Sequence, residues 1–132
     1  MTDTQPRVPA PSINAESRPF WAATAVGKLM LKRCEDCEEF HYYPRSICPF
    51  CMSDKTRWQE SAGTGRIYSY SIFRRAAQPY CIAYVTLEEG VSMMTNIIET
   101  DFDDIHIGLE VCVRFVDTGA GCALPYFKKA QP

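Results

Sequence analysis

Four cysteines fall in two C-x-x-C pairs, Cys34-Glu35-Asp36-Cys37 and Cys48-Pro49-Phe50-Cys51, ten residues apart. Each pair sets two thiols on one tight turn, and two such turns facing each other offer the S4 shell of a tetrahedral zinc ion. Such a shell leaves no position for water or substrate, so the ion it predicts is structural rather than catalytic. Iron is the rival in a rubredoxin-like arrangement. A redox role fits less well, because dithiol motifs of that kind come singly at a helix start. His41 lies close by in sequence but is surplus to a filled shell. With two histidines in 132 residues, no hydrolytic zinc site can be assembled.

The remaining chemistry-bearing residues are sparse. Cys81 shares a strand face with Ala83, Val85 and Leu87 and reads as a buried structural thiol. Cys112 stands opposite Val111 and Val113, and Cys122 follows a glycine turn. None has a histidine nearby in sequence, and no serine sits in a G-x-S-x-G elbow, so nucleophilic catalysis is unsupported. Arg74-Arg75 opens a loop that runs to Tyr80. Paired guanidiniums suit phosphate through forked hydrogen bonds, although an ordinary solvated loop explains them equally well. Arg45, beside Pro44, is a second candidate for the same anion.

The elements that must position these groups follow from periodicity. Ser17 is placed to cap a short helix through Pro19, Phe20, Trp21 and Ala22 to Val26, with Gly27 as its stop. Phe20 and Trp21 are too bulky to stay bare, so this docking helix, residues 17–27, must pack on its own domain or on a partner. Residues 28–33 alternate as a strand leading into the first cysteine turn. Residues 40–44 return toward the second pair, and Trp58 closes a ribbon module spanning residues 28–60. Beyond Gly63 the texture is of short strands with period two. In residues 65–74, Ile67, Ser69, Ser71 and Phe73 are expected on one face, with Tyr68, Tyr70 and Ile72 on the other. Strands over 80–87, 91–98, 109–115 and 122–127 follow, with an Asp-rich loop at 101–104. Five short strands in residues 61–130 predict a small closed barrel of OB type, in which the first interstrand loop borders the ligand face. The fold class is therefore mainly β, and residues 1–16, with three prolines, read as a flexible lead-in.

Composition narrows the function classes. Net charge is −2, with 11 Lys/Arg against 8 Asp/Glu in residues 1–75 and 3 against 8 in residues 76–132. General nucleic-acid binding needs a strongly basic surface, and this chain lacks one. No apolar run approaches the ~18 residues of a membrane span. The first 17 residues lack a basic start and an apolar stretch, which predicts a cytoplasmic, reducing location where seven cysteines serve metal and free thiols.

A family resemblance rests on these features in order. Phe20-Trp21, Gly27-Lys28-Leu29, the two C-x-x-C pairs around Tyr43-Pro44-Arg45, and Gly63-x-Gly65-Arg66-Ile67-Tyr68-Ser69-Tyr70 come first. Leu87-Glu88-Glu89-Gly90, Ile107-Gly108 and Leu124-Pro125-x-Phe127 complete the series. The chain resembles the zinc-ribbon-plus-OB-fold proteins of acyl-CoA metabolism, long catalogued as a domain of unknown function, over residues 17–128. The resemblance implies a non-catalytic subunit that stabilises a thiolase-like or acyl-CoA aldolase enzyme in a hetero-oligomer and helps to hold the CoA thioester. It implies Cys34, Cys37, Cys48 and Cys51 as metal ligands and a basic residue at Arg75. Arg45, Arg74, Tyr80, Phe20 and Trp21 are the further candidates for CoA or partner contact. A nucleic-acid-binding OB module and a stand-alone acyl-CoA thioesterase are the competing readings. Cys81, Cys112, Cys122 and Arg74 depart from the family pattern.

Overall fold

The computed structural model describes residues 9–130, so the first half of the expected lead-in, residues 1–8, lies outside the described part. One helix and eight strands form two β modules: a three-stranded sheet in the order β2-β1-β3, and a closed barrel in the order β4-β5-β6-β8-β7. Among the described residues no helix is long and apolar enough to cross a membrane.

The helix α1, Arg18–Thr24, buries Phe20, Trp21 and Thr24. Its end is set by Gly27, whose φ of +77° suits a residue without Cβ. There the Lys28 and Gly27 N–H groups return to the carbonyls of Ala23 and Thr24, the paired bonds of a Schellman ending. The start differs from expectation. The Ser17 side chain makes no capping bond. The Ser17 backbone N–H instead donates to Asn14 Oδ1 at 2.9 Å, so the asparagine three residues earlier shapes the entry.

Phe20 is 0% and Trp21 6% exposed, both within the chain's own core. The docking face of the helix is thus spent internally, and these two rings leave almost no surface for a partner. Complete burial of one such ring contributes about 1.5–3 kcal/mol. The helix is fastened at both ends of its face. Trp21 Nε1 donates to the Tyr43 hydroxyl of the ribbon at 2.7 Å. Thr24 Oγ1 accepts the Ala123 N–H of the barrel at 3.0 Å.

The ribbon sheet comprises β1 (Met30–Cys34), β2 (Phe40–His41) and β3 (Thr56–Glu60). β1 is the central strand and pairs antiparallel with both neighbours. Lys32 lies over the Trp58 ring at 4.4 Å, which shelters the buried stem of a lysine whose pKa is lowered by desolvation. The link to the barrel is short and tied down. Glu89 accepts from Ser61 Oγ at 2.8 Å and from the Ala62 N–H at 2.9 Å.

The barrel comprises β4 (Thr64–Phe73), β5 (Tyr80–Leu87), β6 (Ser92–Ile97), β7 (Glu110–Asp117) and β8 (Ala123–Lys129). Its interior holds Ile67, Val85, Leu87, Met93, Val111 and Phe127. Cys81 is fully buried there, and burial raises its thiol pKa. Gly65 is required where β4 crosses β5, because a Cβ would stand 2.4 Å from the Thr86 carbonyl oxygen.

The expected face of β4 is corrected by one residue. The register with β5 shifts between Ile67 and Ser69, a bulge at Tyr68. Ile67 pairs with Val85, but beyond the bulge Tyr70 and Ile72 pair with Ala83 and Cys81, all buried partners. Ile72 is therefore on the inward side, half-buried, and Tyr70 shares that face of the strand while remaining 40% exposed. Ser69, Ser71 and Phe73 turn outward, opposite Tyr84, Ile82 and Tyr80. The single inserted residue reverses every later side chain, because strand periodicity is two.

Candidate metal centre and ligand cavities

Cys34 ends β1, Cys37 follows it on the first turn, and Cys48 and Cys51 occupy the second turn. The four sulfurs lie within 4.8 Å of one another. Cys34 and Cys51 are 3.6 Å apart, and Cys37 and Cys48 are 3.7 Å apart. A tetrahedron with metal–sulfur bonds of about 2.3 Å has edges of about 3.8 Å, so the shell fits such an ion. In each knuckle the residue after the second cysteine is left-handed: Glu38 at φ +63° and Met52 at φ +65°. The chain thereby turns back, with Cys34 N–H on the Glu39 carbonyl and Cys48 N–H on that of Ser53.

Amides aimed at sulfur support negative charge on the thiols. The Phe50 N–H donates to Cys48 Sγ at 3.4 Å. The Cys37 and Asp36 amides lower Cys34 to about 7 despite its burial. Cys37 also receives an amide, from Glu39, yet burial and the neighbouring thiols push it up to about 12. Such thiols ionise together only when a cation shares their charge. The geometry can hold a metal rigidly and offers it no further ligand position.

His41 is buried, and its Nε2 accepts the Arg45 N–H at 3.2 Å. Its Nδ1 has no hydrogen-bond partner among the described residues. Burial lowers its pKa, so it is a neutral ring bracing the loop that carries Arg45, and it stands outside the sulfur shell. Arg45 itself is exposed. It lines a cavity of about 510 Å3 with Glu16, His41, Tyr43 and Met52, in which Glu16 accepts the Ser46 N–H at 2.6 Å.

The other candidates lie on the barrel. Arg74 and Arg75 are exposed on the β4–β5 loop, as expected, and Tyr80 begins β5. Tyr80 stacks on Phe73 with centroids 4.8 Å apart and rings 14° from parallel. It lines a cavity of about 520 Å3 that shares no residue with the one beside Arg45. The two anion candidates are therefore separate places. Phe102 and Tyr126 also line the Tyr80 cavity, and sequence reasoning missed both. Neither carries a motif, although Arg74 sits 5.6 Å from the centre of the Phe102 ring.

The outer face of β4–β6 is unexpectedly apolar. Tyr84 is 49% and Met94 58% exposed, beside outward Phe73 and Tyr80. Exposed aromatics and methionine gathered on one face are what protein interfaces use.

Comparison with known proteins agrees with this layout. Residues 21–57 match the family described as "ChsH2, rubredoxin-like zinc ribbon domain", and residues 58–116 match "ChsH2, C-terminal OB-fold domain". A Thermomonospora curvata protein named "Probable enoyl-CoA hydratase alpha subunit" is 31% identical over 138 residues, covering 99% of this chain. The chain spans 43% of that relative's length. A "DUF35 domain-containing scaffold protein" of Methanocaldococcus jannaschii is 34% identical over 111 residues, covering 76% of this chain and 78% of the relative. Among solved structures, a chain of "Ltp2-ChsH2(DUF35) aldolase" superposes with a TM-score of 0.78 at 30% identity, covering 91% of this chain and 98% of that one. A DUF35 protein of unknown function from Sulfolobus solfataricus shares the fold at a TM-score of 0.64 and 16% identity.

Proposed function

Because the chain belongs to the DUF35 family, a rubredoxin-like zinc ribbon followed by an OB fold, we propose that it is a non-catalytic subunit of a thiolase-superfamily enzyme acting on acyl-CoA. In this reading it stabilises the enzyme in a hetero-oligomer and helps to hold the CoA thioester. The observation that carries the proposal is the superposition on nearly the whole length of a chain from an aldolase complex. In this reading the four-sulfur shell holds a structural zinc, which it would leave without a substrate position. Of the three thiols outside the shell, Cys112 on β7 is half-buried. Cys81 and Cys122 are buried, and His106 is an exposed loop residue bonded to the Asp104 carbonyl at 2.9 Å.

The apolar outer face of β4–β6 supports partner binding, since Tyr84 and Met94 gain from being covered. A subunit with this role leaves the covalent chemistry to its enzyme. The test is acyl-CoA turnover. The purified chain should give none, and adding it to its enzyme should raise the enzyme's activity or thermal half-life. Thioester cleavage by the chain alone, abolished by Cys112→Ser, would replace this reading with that of a thioesterase.

A further inference from the structure

We propose that the row Thr64, Cys112 and Lys128 on the outer wall of the barrel is an acylation site, where a thioester passes its acyl group to the Cys112 sulfur and then to the Lys128 amine. The proposal rests on the acyl-CoA reading, which supplies the thioester, and extends it with a modification site fed by the same class of substrate. Of the seven cysteines, four form the sulfur shell, and Cys81 and Cys122 are buried. Cys112 is the thiol left to meet a reagent from solvent.

The register of three strands sets the row. Cys112 of β7 lies opposite Lys128 of β8 on one side and opposite Thr64 of β4 on the other. Val111, the preceding residue, is fully buried inside the barrel, so Cys112 faces outward and its two partners face outward with it. Directly opposed residues hold their Cβ atoms about 4.5–5.5 Å apart, within the span of a lysine stem. All three residues are half-buried, open to a reagent yet held on a sheet rather than on a loop.

The neighbouring charges leave the row free. Toward the start of β7, Glu110 meets Arg66 at 2.8 Å, and toward its end Arg114 meets Glu99 at 3.1 Å. Lys129 meets Asp104 at 3.7 Å. Among the described residues Lys128 meets no carboxylate, and neither the Cys112 thiol nor the Thr64 hydroxyl makes a hydrogen bond. A nucleophile, a hydroxyl donor and an amine therefore stand side by side with no other engagement.

The chemistry runs in two steps. Cysteine is intrinsically very nucleophilic, even at the few per cent present as thiolate near neutral pH. Its attack on the thioester carbonyl forms the Cys112 S–C bond and breaks the bond to CoA, which leaves as a thiolate and takes up the proton that Cys112 gave. The Thr64 hydroxyl supplies a donor for the carbonyl oxygen as charge develops there. Lysine amines in general are almost wholly protonated at this pH, so their direct attack from solution is slow. Beside an acyl-cysteine the small neutral fraction attacks within one molecule, and proximity replaces collision. The N–C bond forms as the S–C bond breaks, the amine proton passes to the Cys112 sulfur, and the proton lost earlier by the ammonium goes to water. One thioester becomes one amide and free CoA, with no oxidant or reductant.

The test incubates the full, metal-loaded chain with millimolar butanoyl-CoA, maps acyl groups by peptide mass spectrometry and counts the CoA released. Lys128 should be acylated about tenfold faster than Lys28 or Lys129, which are exposed, Lys129 facing Val111 rather than a thiol. Cys112→Ser should bring Lys128 down to their level. Lys128→Arg should instead leave the acyl group on Cys112, where hydroxylamine removes it. In that background Thr64→Val should slow the acylation of Cys112 roughly fivefold, the effect of one ordinary hydrogen bond. CoA release should end once both residues carry an acyl group. Equal labelling of Lys128 and Lys28, unchanged by Cys112→Ser, would overturn the proposal, as would a chain left unlabelled at millimolar thioester. Continued CoA release would overturn it as well, by making the chain a thioesterase, and would take the non-catalytic reading with it. A chain that stays unlabelled yet still joins its enzyme refutes this site alone. Labelling as expected in a chain without an enzyme partner refutes the subunit reading instead.

Discussion

Trp21 Nε1 and the Tyr43 hydroxyl meet at 2.7 Å and join the N-terminal helix to the zinc ribbon. The bond lies in an aromatic cluster in which Phe20 packs edge-on against Trp21, Tyr42 and Tyr43, with centroids 4.9–5.8 Å apart. Since Thr24 of the same helix holds Ala123 of β8, a seven-residue helix carries the order helix, ribbon, barrel into three dimensions. Tyr43→Phe should strand the indole N–H and cost on the order of 1 kcal/mol, a modest figure because Tyr43 is partly exposed. Denaturant midpoints measure this, and Trp21→Phe should cost less in the Tyr43→Phe background than alone. Additive losses would mean that the bond contributes nothing.

Metal removal should act on one module first. The ribbon has only three short strands and little core of its own, whereas the barrel closes around its own apolar interior. Structural zinc contributes about 10–16 kcal/mol in peptide hosts, more than such a module holds otherwise. Chelation, or Cys48→Ser, should collapse the amide dispersion of residues 28–58 and leave β4–β8 signals in place. Unchanged ribbon spectra after complete metal removal would show that the cysteines are not a structural site. The optical spectrum of the native protein separates the metals, since ferric thiolate absorbs in the visible and zinc does not.

A pH effect is expected where Glu16 clasps the ribbon. The Ser46 N–H holds the Glu16 carboxyl below its usual value of 4.5, against a desolvation penalty and with help from Arg45 and Lys32. A depressed carboxylate stabilises the clasp fully above the ordinary value and loses it as pH falls through the lower folded one. The Ser46 amide resonance should therefore move on acidification below about pH 4.5, and Glu16→Gln should abolish the transition. A transition that persists in Glu16→Gln would assign it to another group.

Much of the fold was legible because its signals are local. The four cysteines of the candidate metal centre sit in two four-residue motifs, and the barrel strands carry period-two patterns bounded by glycine turns. What escaped depended on one-residue or long-range events. The Tyr68 bulge leaves no composition mark, yet it exchanges the two faces of β4 beyond it. Asn14 displaced Ser17 as the residue shaping the helix entry because both types can close that turn, and only the fold selects between them. The burial of Phe20 and Trp21 against Tyr42 and Tyr43 joins segments more than twenty residues apart. The cavity wall needed Tyr80, Asn96, Phe102 and Tyr126 together. No spacing rule relates positions that only barrel closure brings to one place.

The central claim, that this chain works as a subunit of an acyl-CoA enzyme, is tested most directly by gentle affinity purification from the native source. The measurement is the identity and stoichiometry of what remains bound through size exclusion. The account predicts a thiolase-superfamily subunit in fixed ratio, released when Tyr84 and Met94 on the outer barrel face are both changed to Asp. A chain that elutes alone at native concentration, or whose constant companion is a nucleic acid, would contradict it.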